Sequence, residues 1–173
     1  MSNYDSTYFK DRDIVTQKDE ILAVQVLEKT IPKSILDFGA GAGKYVKIFT
    51  DYGVPTIGYE PNIEQIQKIA CSRNNIFKEI PSGTYDLIWV CDVLEHVTEA
   101  EIDDVLRAIQ KKAGKYIIFS ICDSSLWGKY PDETHVTCKS RIWWENKIAE
   151  YFTINRVPDD WIFKEQLFLC MTR

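Results

Sequence analysis

Three groups of residues in this sequence could do chemistry. The first is the run Asp37-Phe38-Gly39-Ala40-Gly41-Ala42-Gly43-Lys44. Glycine at alternate positions lets the backbone take positive φ and removes each Cβ that would block a ligand. An acid inside such a turn repels a pyrophosphate and suits a cationic or amino-bearing ligand. The second is Glu60, where a carboxylate at the end of the next strand can accept both hydroxyls of a ribose. A solvated strand-end acid is the plainer alternative. The third is Asp92-Val93-Leu94-Glu95-His96, together with His135 further along. A neutral imidazole near pH 7 suits removal of a proton from a hydroxyl or amine. Two carboxylates and two imidazoles could also hold a divalent ion that positions a pair of hydroxyls. Glu95 and His96 could instead orient loops by hydrogen bonds.

Two other glycine turns do not fit. A phosphate-binding G-x-x-x-x-G-K-[ST] loop needs glycine where Phe38 stands and a hydroxyl where Tyr45 stands. A dinucleotide G-x-G-x-x-G turn would run through Gly39 and Gly41 to position 44, where the bulk of Lys44 would spoil close packing of helix on strand. The pattern present is D-x-G-x-G-x-G.

Such residues need strand, turn and helix in succession, and the flanking sequence supplies them. Ile35–Phe38 reads as a short strand. Lys44–Tyr52 reads as a crossover helix with Tyr45, Val46, Ile48 and Phe49 for packing, ended at Gly53. Thr56–Tyr59 is a second strand closed by Glu60, and Pro61-Asn62 opens a helix carrying Ile63, Ile66, Ile69 and Ala70. Residues 75–80 form a weak strand. Tyr85–Cys91 is the nearly continuous apolar run of a central parallel strand. Thr98–Lys112 reads as a helix with Thr98 and Glu101 as a capping box, stopped at Gly114, and Tyr116–Ile121 is another buried strand. Upstream, residues 18–30 read as a helix with Ile21, Leu22, Val24 and Leu27 on one face, ended by Pro32. Ser140–Ala149 is a helix with Trp143 and Trp144. Tyr151–Val157 and Gln166–Met171, joined through Pro158-Asp159-Asp160, read as a terminal antiparallel hairpin. The expected fold is α/β, a doubly wound, mostly parallel, Rossmann-like sheet with helices on both faces and a terminal antiparallel strand. One domain spans 1–173, and residues 1–17, with Tyr4, Tyr8 and Phe9, are a loose arm or a lid.

On these motifs the sequence resembles the class I S-adenosylmethionine (SAM)-dependent methyltransferases. Asp37 to Gly43 matches the first motif of that family. Asp86 to His96, with Asp92-Val93-Leu94-Glu95-His96, matches the segment after the fourth strand that lines the methyl-transfer site of small methyltransferases. The resemblance implies that Asp37, Gly39, Ala40, Gly41 and Gly43 hold the methionine part of SAM, that Glu60 and Pro61 meet the ribose side, and that Asp92 and Val93 shape the floor. It implies SAM as cofactor, S-adenosylhomocysteine (SAH) as product, and catalytic roles for His135 and Asp92. It also implies a last strand that returns between the two before it. The third motif of the family, an acid near the adenine, is poorly matched by Lys78 and Glu79, which leaves adenine contacts to backbone and to apolar residues near Ile80. No resident metal is expected; Glu95, His96 and His135 are the candidate ligands for one. That set is similar to the metal site of RNA 2′-O-methyltransferases acting at small-RNA 3′ ends, with Asp92 in place of their first glutamate. A non-catalytic SAM-binding module or partner subunit is the remaining alternative.

The chain has 173 residues, 45% of them hydrophobic and 27% charged, enough for a core of ordinary size. A net charge of −5 gives no overall basic footprint for nucleic acid. No apolar run reaches the roughly 18 residues of a membrane span, and the N-terminus lacks a signal-peptide core. Cys71, Cys91, Cys122, Cys138 and Cys170 contain no C-x-x-C pair and read as reduced thiols of a cytoplasmic protein. The expected acceptor is a small molecule, such as a sugar or metabolite, methylated on O or N. Trp127, Tyr130, Trp143 and Trp144 could stack it, and Lys139 and Arg141 could meet an anionic one.

Overall fold

The computed structural model describes residues 14–66, 75–126, 128 and 132–173. Seven strands form one sheet in the order β3-β2-β1-β4-β5-β7-β6. They are β1 (Ile35–Phe38), β2 (Thr56–Tyr59), β3 (Ile76–Phe77), β4 (Tyr85–Cys91), β5 (Ala113–Ser120), β6 (Thr153–Asn155) and β7 (Leu167–Met171). The first five run parallel, whereas β7 is antiparallel to both β5 and β6. The hairpin therefore places its second strand between β5 and β6, as expected.

Side chains alternate across the sheet and so sort its two cores. Ile35, Leu87 and Trp89 face α1 (Gln17–Thr30) and α2 (Lys44–Asp51), where they meet Leu22, Ala23, Val26, Ile48 and Phe49. Leu36, Ile88, Val90 and Phe119 face α4 (Ile102–Lys112) and α5 (Arg141–Ala149), where they meet Leu106, Ile109, Trp144 and Ile148. A short helix α3 (Ile63–Ile66) follows β2. By the same alternation Asp37 and Cys91 lie on the α1/α2 side of the sheet. The order of elements puts the chain's carboxyl-end loops, which carry the candidate residues, along one edge of the parallel strands.

Several expectations need correction. In α1 the buried apolar residues are Leu22, Ala23 and Val26, while Ile21 is exposed. The helix also begins earlier, at Gln17, because Thr16 and Asp19 form a reciprocal capping box. The Thr98 hydroxyl does bond the Glu101 carboxylate, at 2.6 Å, but this pair closes a turn ahead of the helix, and α4 starts at Ile102 with Glu101 as its cap residue. Gly114 does not stop α4 before a loop. It lies in β5, where a Cβ would come 3.0 Å from the Tyr85 carbonyl at an irregularity of the β4–β5 pairing. Ile69, Ala70 and Cys71 lie outside the described residues, as do Tyr4, Tyr8, Phe9, Trp127 and Tyr130. Among the described residues no helix is long and apolar enough to cross a membrane.

Candidate active site

The glycine turn is held by β2. Gly39 and Ala40 both donate to the Tyr59 carbonyl, at 2.8 and 2.9 Å, and the Gly43 amide closes onto the Ala40 carbonyl at 2.8 Å. Gly39, Gly41 and Gly43 have φ of 82°, 52° and 87°, a region that costs an ordinary side chain roughly 1–2 kcal/mol. At Gly39 sterics add to this, since a Cβ there would sit 2.5 Å from Val93 Cγ2. Two expected cofactor residues thus meet across the gap between β1 and β4. Gly58, which the sequence motifs did not single out, matters for the same reason: a Cβ there would lie 2.7 Å from Ala40 Cβ.

Glu60 is tied to the turn. Its Oε2 accepts from the Gly41 amide at 3.0 Å and its Oε1 from the Asn62 amide at 2.9 Å. Burial raises its carboxyl above the ordinary value, and the two amides oppose that push. Pro61 beside it is half-buried. Asp37 is only 2% exposed. Burial first, and then the charge of Glu60, push its carboxyl from 3.8 to about 8, with Lys44 pulling the other way. A positively charged ligand group set against Asp37 would relieve that push.

A cavity of about 420 Å³ opens beside this turn. Cys91 and Asp92 reach it from the end of β4, Ser120 and Cys122 from the end of β5, and Lys44 and Tyr45 from the first turn of α2. Asp92 has φ 53°, a left-handed conformation that aspartate tolerates better than most residues. Its amide donates to the Ser120 carbonyl and its Oδ1 accepts from the Ser120 hydroxyl, each at 2.9 Å. That bend turns the chain off β4 and leaves Asp92 at the solvent-facing side of the cavity while Val93 goes back to Gly39.

The far wall is built by a loop docked on a single 3₁₀ turn, Leu94–His96. The Glu95 carbonyl accepts from the Val136 and Thr137 amides at 2.9 and 3.0 Å, and the Thr137 hydroxyl donates to the Val97 carbonyl at 2.6 Å. These bonds bring Asp132 and His135 against His96. The two imidazoles meet edge to face, with ring centres 4.6 Å apart. His135 Nε2 lies 4.0 Å from Asp132 Oδ2. Glu95 is fully buried. Its Oε1 accepts from the Cys122 amide at 2.8 Å, and its Oε2 is buried with no hydrogen-bond partner among the described residues. Burial first, then the charge of Asp92, push the Glu95 carboxyl to about 8.

The structure thus brings Asp37, Gly39, Ala40, Gly41, Gly43, Glu60, Pro61 and Val93 together on one side. It gathers Asp92, Glu95, His96 and His135 around the cavity. It adds Asp132 and Asp19, which the sequence reading left out, and puts Lys44 in the cavity wall. Asp19 accepts from Lys44 Nζ at 2.9 Å and from the Tyr45 hydroxyl at 3.0 Å, which fixes the start of α1 to α2 at the cavity's edge. The Thr16-x-x-Asp19 spacing was the signal available for it. Other expectations are not met. Trp144 is fully buried in the core and Trp143 packs half-buried against it with rings 4.9 Å apart, so neither lines the cavity. Lys139 pairs with Glu99 at 2.6 Å, and Arg141 bonds Glu145 and the Leu167 carbonyl. Lys78 is exposed and pairs with Glu64.

A seven-stranded sheet with β7 inserted antiparallel, a glycine turn locked to a strand-end acid, and an acidic cavity beside it define a methyl-transfer architecture. The chain belongs to the methyltransferase family whose model, described as a methyltransferase domain, matches residues 12–159. It is a class I SAM-dependent methyltransferase in family and fold. No curated protein sequence matches it. Among solved structures it is similar to the PH0226 protein from Pyrococcus horikoshii OT3, at 17% identity and TM-score 0.69, with 99% of each chain covered. It is also similar to the plantazolicin methyltransferase BpumL, solved with a desmethyl plantazolicin analogue and SAH, at 13% identity and TM-score 0.68, with 97% of this chain and 90% of that one covered. Magnesium protoporphyrin IX methyltransferase from Synechocystis PCC 6803, solved with bound SAH, matches at 15% identity and TM-score 0.64, covering 100% of this chain and 89% of that one.

Proposed function

We propose that this chain, acting as one domain in the cytoplasm, transfers the methyl group of SAM to an oxygen or nitrogen of a small molecule seated in the cavity. The observation that carries this reading is the split between adjacent residues at the end of β4: Val93 abuts Gly39 in the cofactor turn, while Asp92 lines the cavity. A methyl donor held by the turn would then present its methyl group toward an acceptor beside Asp92. Asp37 and Gly39–Gly43 hold the methionine part, Glu60 and Pro61 the ribose side, and Val93 and Asp92 the floor. The volume of about 420 Å³ suits a metabolite or sugar. Free thiols at Cys91, Cys122, Cys138 and Cys170 support the reducing compartment.

In the transfer, a lone pair of the acceptor forms a bond to the methyl carbon as the carbon–sulfur bond breaks. The electron pair of that bond stays on sulfur, which becomes the neutral thioether of SAH. The acceptor's proton leaves toward the wall that carries His135, with Asp92 orienting the acceptor. Much of the acceleration would come from positioning, because the sulfonium is already a good leaving group.

Calorimetry with SAM and with SAH tests the cofactor site, and transfer of labelled methyl from SAM to a broad panel of hydroxyl and amine metabolites tests the reaction. Micromolar binding with transfer to a panel member supports the reading. Absence of binding overturns it. Binding without transfer across the panel would make the chain a non-catalytic SAM-binding module instead.

A further inference from the structure

The far wall of the cavity holds a cluster that methyl transfer by itself does not require. His96, Asp132 and His135 each offer one ligand atom, and these atoms all lie within 4.8 Å of one another. Two ligands on one ion stand at most about 4.2 Å apart when each bond is 2.0–2.1 Å long. Small side-chain rotations would therefore close the set around a cation.

Three further observations point the same way. First, Glu95 lines the same cavity, is fully buried, and keeps one carboxylate oxygen without a hydrogen-bond partner among the described residues. Buried carboxylate oxygens are almost always satisfied, so an orphaned one signals a missing partner. Second, the Thr134 hydrogen bonds make His96 Nδ1 a donor. The Thr134 hydroxyl gives its proton to Asp132 Oδ1, so it must accept from His96 Nδ1, 3.0 Å away; the Thr134 carbonyl lies 3.2 Å from the same nitrogen. Nδ1 is thus a protonated nitrogen, which makes Nε2 the ligand atom that the neutral ring would offer. A ligating histidine characteristically gives its other N–H to an oxygen acceptor that fixes the ring's orientation. Third, the described lining has four carboxylates, Asp19, Asp92, Glu95 and Asp132, against one lysine, Lys44, which Asp19 already engages.

We propose that His96, Asp132 and His135 bind a divalent first-row transition-metal ion, which would also set a positive charge on the cavity wall that carries Glu95, itself outside that set. Two imidazoles favour such an ion over magnesium or calcium. The set differs from the one the sequence suggested, because Asp132 enters it and the Asp92 carboxylate is held by Ser120. The proposal rests on the transfer reading only in taking this cavity as the acceptor's. An acceptor oxygen on the ion would lose its proton more readily, so His135 would act on that proton through the ion.

The test uses the full chain, stripped with EDTA and dialysed, then titrated with Mn²⁺. Manganese is chosen because it binds nitrogen and oxygen sites in preference to the exposed thiol of Cys138. Loss of the free Mn²⁺ resonance signal reports uptake, and elemental analysis gives the stoichiometry. One ion per chain is expected. Asp132→Asn and His96→Gln should each weaken uptake at least ten-fold while circular dichroism melting shows a folded protein. Lys139→Gln, outside the cavity, should leave uptake unchanged. No stoichiometric uptake by the wild-type chain, or unchanged affinity in both folded cavity variants, would overturn the site. Methyl transfer that persists without any bound ion would remove the ion and leave the transfer reading intact. One bound ion without transfer to any acceptor would do the reverse.

Discussion

The Gly41 amide donates to Glu60 Oε2 at 3.0 Å, so the acid assigned to the ribose also locks the glycine turn. The second carboxylate oxygen is held by Asn62. Ribose hydroxyls would approach the lone pairs that these amides leave, on a group whose position is already fixed.

Removing Glu60 should therefore act twice. Glu60→Ala should weaken SAM and SAH binding by roughly ten- to a hundred-fold, the range for a charged hydrogen-bonding group. It should also lower the melting temperature, because the turn loses the Gly41 bond while its two bonds to the Tyr59 carbonyl remain. Calorimetry on wild type and variant reads the first effect; equal affinities would sink the assignment of Glu60.

Contact between Gly39 and Val93 gives a paired experiment. Gly39→Ala places a Cβ 2.5 Å from Val93 Cγ2 at a φ of 82°. A loss of about 2 kcal/mol in urea unfolding is expected, with weaker SAH binding. Gly39→Ala with Val93→Ala should recover the steric part and keep the backbone strain. If the double variant is no better than the additive sum of the two single changes, the two residues are not in contact as described.

Asp37 links binding to protons. Its folded value of about 8 lies above the ordinary 3.8. For an acid raised on folding, the unfolded chain releases its proton first as pH rises. Stability of the ligand-free protein due to this group is thus full below 3.8, declines up to about 8, and is level beyond that. A cationic ligand favours the ionised form, so SAM binding at pH 7 should release up to about one proton. The apparent binding enthalpy should then vary with the ionisation enthalpy of the buffer, and Asp37→Asn should abolish most of that variation.

His135 should separate binding from turnover. His135→Ala is expected to leave SAH affinity within about two-fold and to reduce turnover by about a hundred-fold or more, whether the imidazole acts on the acceptor's proton directly or through an ion. A parallel fall in SAH affinity would place His135 in the cofactor site instead.

Local patterns in the sequence carried much of this architecture. The glycine turn, Glu60 and the Asp92–His96 run are contiguous motifs, and strand alternation fixed which face each side chain took. What stayed hidden depends on tertiary contact. Asp19 looks like an ordinary helix-cap residue until Lys44 and Tyr45 fold onto it. Asp132 gains meaning only when the Val136 and Thr137 amides dock its loop on Glu95. Thr98 and Glu101 form the expected hydrogen bond, yet the backbone places it ahead of α4. The tryptophans misled because adjacency in sequence says nothing about which side of α5 faces the core.

The insertion of β7 between β5 and β6 has a consequence for synthesis. The chain emits β6 before β7, but among the described residues β6 has no hydrogen-bonded neighbour except β7. As the chain leaves the ribosome, the β5 edge must stay open until residue 171 has emerged, and only then can two strands seat almost together. Until that moment β5 offers unpaired backbone groups, with Ile117, Ile118 and Phe119 beside them, to any other extended chain nearby. Nascent-chain crowding, rather than the stability of the finished fold, would then limit the yield of soluble protein.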